Sequence, residues 1–164
     1  LLAAGKAPSP PDARVAFRPD AWQRELLDIV DRRESAVVCA PTSSGKTFIS
    51  YYAMMSAFRD GRHPNGVVVF VCPTKALVNQ VAAQVYYSFG DLSGTFTREY
   101  SYNLDKCRFL VTVPECLEIL LLSANEATWR ARIRYVIFDE IHFIGRSDEG
   151  AVWEHCLALI RAPF

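Results

Sequence analysis

The stretch that most constrains this chain is Ala40-Pro41-Thr42-Ser43-Ser44-Gly45-Lys46-Thr47. It lies between the apolar run Ala36-Val37-Val38-Cys39 and a helical pattern that begins near Phe48. Strand, small-residue loop and helix in that order are the setting of a phosphate-binding P-loop. The backbone N–H groups of such a loop, with the N-terminus of the helix behind it, attract phosphate oxygens. Lys46 adds a point charge at the β- and γ-phosphates, and Thr47 a hydroxyl ligand for Mg²⁺. Pro41, Thr42, Ser43, Ser44 and Gly45 complete the cradle. Ala40 stands where the first glycine usually does and is still small enough for a tight turn. The motif implies a bound nucleoside triphosphate and is silent on what the energy drives.

A second anchor lies about ninety residues downstream. Tyr135-Val136-Ile137-Phe138 is an apolar strand that ends in Asp139-Glu140-Ile141-His142. Acids at the carboxyl end of a parallel strand stand where open α/β sheets bind ligands. Asp139 suits a water-mediated hold on Mg²⁺, and Glu140 suits polarising an attacking water. Phosphate cradle and metal acid need each other, so the pair is far stronger than either motif alone.

Between and around these anchors, strand and helix alternate. Trp22 to Val30 has an amphipathic helical pattern, with Asp20 as N-cap. The helix after the P-loop runs to about Phe58, and Asp60 to Gly66 is a loop by composition. Val67 to Val71 is a β-branched and aromatic run expected to be buried on both faces. A helix follows from Lys75 to Tyr87, then short strands near Thr95–Thr97 and at Phe109–Val111. Pro114 sits in the first turn of a helix reaching Leu122, Tyr135–Phe138 is a further buried strand, and Ala151–Ile160 is the last helix. This pattern predicts an α/β fold, a mostly parallel sheet covered by helices on both faces. Residues 1–16, rich in Pro and Ala toward Asp12, read as a linker or N-terminal arm, and 17–164 as one domain.

The 18 basic and 18 acidic residues cancel, so any contact with nucleic acid must be local. Cys39, Cys72, Cys107, Cys116 and Cys156 form no C-x-x-C pair and read as buried free thiols in a reducing compartment. The longest apolar stretch, Cys116 to Leu122, is too short to span a membrane, and no signal peptide is evident. The chain begins without Met and stops at Phe164, which leads us to expect a piece of something longer.

Asp139-Glu140-Ile141-His142 resembles motif II of the superfamily 2 DExH-box helicases. Further segments fit that family in order and spacing. Pro73-Thr74-Lys75-Ala76-Leu77-Val78-Asn79-Gln80 resembles motif Ia, and Thr112-Val113-Pro114-Glu115 a second turn that contacts the nucleic-acid backbone. Phe17-Arg18-Pro19-Asp20-Ala21-Trp22-Gln23 resembles the segment that recognises adenine. Glu149-Gly150-Ala151-Val152-Trp153-Glu154 is similar to the superkiller-type branch of processive RNA helicases linked to exosome decay. Val38–Thr47 and Phe96-Thr97-Arg98-Glu99-Tyr100 look most like the antiviral DExD/H-box helicase 60 group. Where the superkiller pattern has Thr-Gly-Asp, this chain has Thr97-Arg98-Glu99, which puts Arg98 where a glycine normally approaches the backbone.

The resemblance covers roughly Phe17 to the end. It implies a P-loop NTPase fold, specifically a first RecA-like domain ending before the sheet is complete, with ATP and Mg²⁺ as cofactors. It implies that Phe17 stacks on the base, that Gln23 bonds its edge, and that His142 couples the nucleotide and nucleic-acid sites. Pro73, Thr74, Lys75, Arg98, Thr112, Pro114 and Glu115 are the implied RNA contacts. The implied partners are RNA, a second RecA-like domain carrying an arginine finger, and antiviral-signalling or RNA-decay proteins, in the cytoplasm or nucleus and away from membranes. Without that second domain, ATP turnover is expected to be poor.

Blander readings stand beside several of these. Phe17 also fits a core or staple residue against the first helix. Lys75 also fits a solvated helix start, Arg98 a surface arginine, and His142 an ordinary post-strand histidine. Thr112 and Pro114 also make an ordinary strand-to-helix turn. At the level of function, an RNA helicase stands against a nucleotide-gated RNA-sensing module without strand separation, and against a DNA helicase.

Overall fold

The structure, a computed structural model, describes residues 2–3, 10–40, 47–122, 126–145 and 150–160. Its contacts divide the chain into two compact units, Leu1–Ser56 and Ala57–Phe164.

In the first unit, β1 (Leu2–Ala3) pairs in parallel with β2 (Val38–Cys39). A strand within residues 1–16 was not expected from its composition. The segment before Phe17 is also anchored. Arg14 reaches Asp12, Asp28 and Asp31 at 2.7 Å each, and the Tyr52 hydroxyl donates to Asp31 at 2.7 Å. α1 (Ala21–Arg32) starts at Asp20 as expected and buries Trp22, Leu26, Leu27 and Val30 on one face. It stops at Arg33, whose φ of 58° ends the helix in a left-handed cap. Cys39 differs from its reading as a buried thiol: it is exposed, and Val37 just before β2 is 56% exposed. α2 (Thr47–Arg59) follows, as the pattern required.

The second unit carries a five-stranded sheet. β3 (Val67–Val71) leads through α3 (Lys75–Phe89) and a single 3₁₀ turn, Gly90–Leu92, to β4 (Ser93–Phe96). β5 (Ser101–Tyr102) hairpins back, and β6 (Phe109–Thr112) leads into α4 (Pro114–Leu122). α5 (Glu126–Arg132), β7 (Ile133–Phe138), a 3₁₀ turn at Ile141–Gly145 and α6 (Gly150–Leu159) complete it. The strand order is β5-β4-β6-β3-β7, and every pair is parallel except β4–β5. The mostly parallel α/β sheet read from the sequence is what the chain forms.

Helices cover both faces of this sheet. Alternate residues of β3 and β6 point opposite ways. Val67, Val69, Val71 and Leu110 pack with Leu117, Leu120 and Leu121 of α4 and Cys156 of α6. On the other face the Phe109 ring lies 4.2 Å from Phe89 of α3. All five β3 residues are buried, because β3 is flanked on both sides and covered on both faces. β7 departs from its reading as fully buried. It is the last strand in the order, and Arg134 to Phe138 are only half-buried. β4 needs glycine at 94, where a Cβ would lie 2.7 Å from Cys107 Cβ and 3.1 Å from Tyr102 O.

Candidate nucleotide and nucleic-acid sites

The register of the sheet aligns the ends of four strands. Phe96 pairs with Thr112, Thr112 with Val71, and Val71 with Phe138. These are the last residues of β4, β6, β3 and β7, so the four strands finish level. At about 4.8 Å per strand, the row spans about 14 Å. The segments leaving it are Thr97–Glu99, Val113–Glu115, Cys72–Lys75 and Asp139–His142. Segments scattered over the sequence thus line up along one carboxyl rim, where open parallel sheets bind ligands.

Asp139 continues the β3 pairing, its N–H donating to Val71 O at 3.0 Å. Its Oδ1 accepts from Glu140 N at 3.1 Å. Glu140 has φ 51°, a left-handed conformation that L side chains rarely adopt. It turns the chain sharply from strand into the following 3₁₀ turn, which Phe143 N–H closes onto Glu140 O at 3.0 Å. Strain of this kind tends to be kept where geometry serves function. Glu140 Oε2 lies 3.0 Å from His142 Nδ1, so the two residues named for water positioning and coupling touch. Carboxylate oxygens on Asp139 are the hard donors Mg²⁺ prefers.

On β3's exit, Thr74 caps α3, its Oγ1 accepting from Leu77 N at 3.4 Å. Pro73 is half-buried, and Thr74 and Lys75 are exposed. Lys75 forms an ion pair with Glu99. Arg98 and Glu99 are the two central residues of a tight hairpin turn, closed by Thr97 N to Tyr100 O at 2.8 Å. Both are exposed at its tip.

Thr112 ends β6 within this row, but its side chain is not exposed at the rim. It is fully buried, and its hydroxyl donates to Phe96 O at 2.7 Å, tying β6 to β4. Pro114 is buried too, and its carbonyl accepts from Cys156 Sγ at 3.3 Å. Both groups lie inside the fold and serve the strand-to-helix turn, the blander role named for them above. Glu115 is half-buried in the first turn of α4.

In the first unit, Phe17 is 44% exposed and meets Phe48 edge-on, with ring centroids 5.3 Å apart. Phe48 directly follows Thr47, which is exposed at the start of α2. Gln23 is 7% exposed, and its Oε1 accepts from Asp20 N at 2.8 Å, half of a capping box. Sequence reading missed that helix-capping use, although Asp20 and Gln23 have its three-residue spacing. Pro41, Thr42, Ser43, Ser44, Gly45 and Lys46 lie outside the described residues. Among the described residues no group of three His, Cys, Asp or Glu side chains is placed to hold a metal, and no helix is long and apolar enough to cross a membrane.

The sheet and its row of motif-bearing exits define a helicase-type α/β domain. Residues 20–164 match the DEAD/DEAH box helicase family, and the chain belongs to it. It is 53% identical over 161 residues to the human probable ATP-dependent RNA helicase DDX60-like, covering 93% of this chain and 9% of that protein. It is 37% identical over 141 residues to the human exosome RNA helicase MTR4, covering 86% of this chain and 13% of that one. The likeness expected to the superkiller branch, and within it to the helicase 60 group, is the likeness found. Among solved structures, the DUF1998 helicase MrfA bound to DNA and AMPPNP superposes with a TM-score of 0.70 at 20% identity, covering 98% of this chain and 26% of that one. That match shares the fold. The chain spans about a tenth of the length of the curated relatives it matches.

Proposed function

We propose that residues 17–164 serve as the first RecA-like, ATP-binding domain of an ATP-dependent RNA helicase, with residues 1–16 as its N-terminal arm. The observation that carries this reading is the level row of strand ends. It sets the acid pair on β7 beside the Pro73–Lys75 exit of β3, with the Thr97–Glu99 turn farther along the same rim.

In this reading Pro41 to Thr47 cradle the triphosphate, with Lys46 on its terminal phosphates. Phe17 stacks on adenine, and Gln23 bonds its edge while bracing α1. Glu140 takes a proton from the attacking water, and His142 carries the state of that carboxylate toward the RNA. Asp139 and the Thr47 hydroxyl would hold Mg²⁺, which supplies positive charge to the phosphate oxygens when bound. Pro73, Thr74, Lys75 and Arg98 meet the RNA backbone without reading its sequence. Glu115 steers that path through its charge, and Thr112 and Pro114 hold the rim's shape. A second RecA-like domain supplies the arginine finger. We further propose antiviral-signalling or RNA-decay partners and a cytoplasmic or nuclear location, a reading supported by the resemblance to the helicase 60 and superkiller groups.

The test is ATP hydrolysis by the full-length protein with and without single-stranded RNA, alongside strand displacement on an RNA duplex. RNA-stimulated hydrolysis with unwinding is expected. Stimulation by RNA without strand separation would replace the helicase with a sensing module. Stimulation by DNA alone would replace the substrate.

A further inference from the structure

Glu99 stands at the tip of the β4–β5 turn, three residues past the end of its strand. Lys75 opens α3, on the far side of β6 in the strand order. The two side chains nevertheless meet in an ion pair above the rim, and each is more than half exposed. Burial pressure therefore does not force them together. Lys75 holds the Glu99 carboxyl below the ordinary glutamate range, which keeps it ionised. An ionised carboxylate on Lys75 occupies the ammonium much as an RNA phosphate would.

We propose that Glu99 is an internal competitor for RNA: it occupies Lys75 in the free protein, and a backbone phosphate must displace it. The inference deepens the RNA-binding reading above and rests on it. Two consequences are measurable. First, RNA binds more weakly than the basic residues alone would allow, since one anion is exchanged for another. Second, the phosphate that takes Lys75 sheds its condensed cation, but the freed Glu99 carboxylate beside the RNA draws cations back, so this contact adds less to the salt dependence than an unpaired lysine would. Once displaced, Glu99 lies beside Arg98 in the same turn, which limits the repulsion left against the RNA.

The experiment measures binding of a fluorescein-labelled oligouridylate to the full-length protein between about 50 and 200 mM salt. Wild type, Glu99→Gln, Lys75→Gln and the double variant are compared. Glu99→Gln should bind about two- to fivefold tighter at the low-salt end, the scale of an exposed ion pair. Its slope of log affinity against log salt should steepen by up to about 0.7, the full weight of one phosphate contact on a single strand. Lys75→Gln should weaken binding clearly in the Glu99→Gln background and only slightly in the wild type. Equal weakening in both backgrounds, with an unchanged slope in Glu99→Gln, overturns the competitor while leaving Lys75 as an RNA contact. A silent Lys75→Gln in both backgrounds overturns the RNA contact and the competitor together.

Discussion

Glu140 combines a reactive role with an uncomfortable backbone. Its left-handed φ of 51° costs an L-residue about 1–2 kcal/mol, part of which glycine would recover. Glu140→Gly should therefore raise folding stability by a net of about 0.5–1 kcal/mol, after the entropic cost of glycine, while hydrolysis disappears. Chemical denaturation beside an ATPase assay checks both halves; a loss of stability would show that the Glu140–His142 contact outweighs the strain. Glu140→Gln should keep ATP affinity and lower turnover at least ~10²-fold, the usual worth of a general base. Lost nucleotide affinity in that variant would move Glu140 out of the water-positioning role. Phe17→Ala should weaken adenine-nucleotide binding by about tenfold, the scale of one lost stack. Unchanged affinity would leave Phe17 as packing for Phe48.

At the scale of elements, β4 and β6 depend on two small details. Gly94 leaves no room for a Cβ against Cys107, so Gly94→Ala should destabilise by about 1–3 kcal/mol. Thr112→Val keeps the shape but removes the donor to Phe96 O, costing about 1–3 kcal/mol if that carbonyl stays dry. Urea unfolding midpoints measure both, and wild-type midpoints would refute the packing described. What the sequence showed about these elements followed physical signal strength. Val67–Val71 reads as a buried strand because five apolar β-formers in a row have few other uses. The four-residue β4 and two-residue β5 carry little periodicity, so the pattern places the start of β4 two residues late and does not show β5. α5, with seven residues and three charges, gave no clear apolar face. Thr112 was legible as part of a motif, yet its burial depends on β4 pairing beside it, which no local pattern encodes.

At the scale of the whole molecule, the cysteines divide by environment. Burial pushes Cys72 and Cys156 up to about 12 and Cys107 to about 11, and Cys116 is raised as well. Cys39 is the exposed one. A thiol reagent near neutral pH should thus modify one cysteine quickly and four only upon unfolding; several fast cysteines would contradict the buried core. The sign of the pH effect follows. Unfolded thiols titrate near 8.5–9, and the folded ones retain their protons to higher pH. Stability is therefore fully present below about 9 and falls as pH rises toward 11–12, by up to ~1.4 kcal/mol per pH unit for each such thiol. Denaturation measured from neutral to alkaline pH tests this, and a flat profile would place the thiols in wetter surroundings. The P-loop and acid pair can be read as motifs because their chemistry is local in sequence. The rim cannot, because register across four strands is a property of the assembled sheet.

That register carries a consequence for how such a chain can vary. A strand's side chains alternate between faces, so one added or deleted residue inside β3, β4, β6 or β7 turns its far half over. It also carries the attached loop off the common line by about 3.3 Å. Many residue exchanges within these strands leave both properties intact. The rim should therefore be tolerant of spelling and intolerant of length, with insertions absorbed in the helices and loops at the opposite ends of the strands.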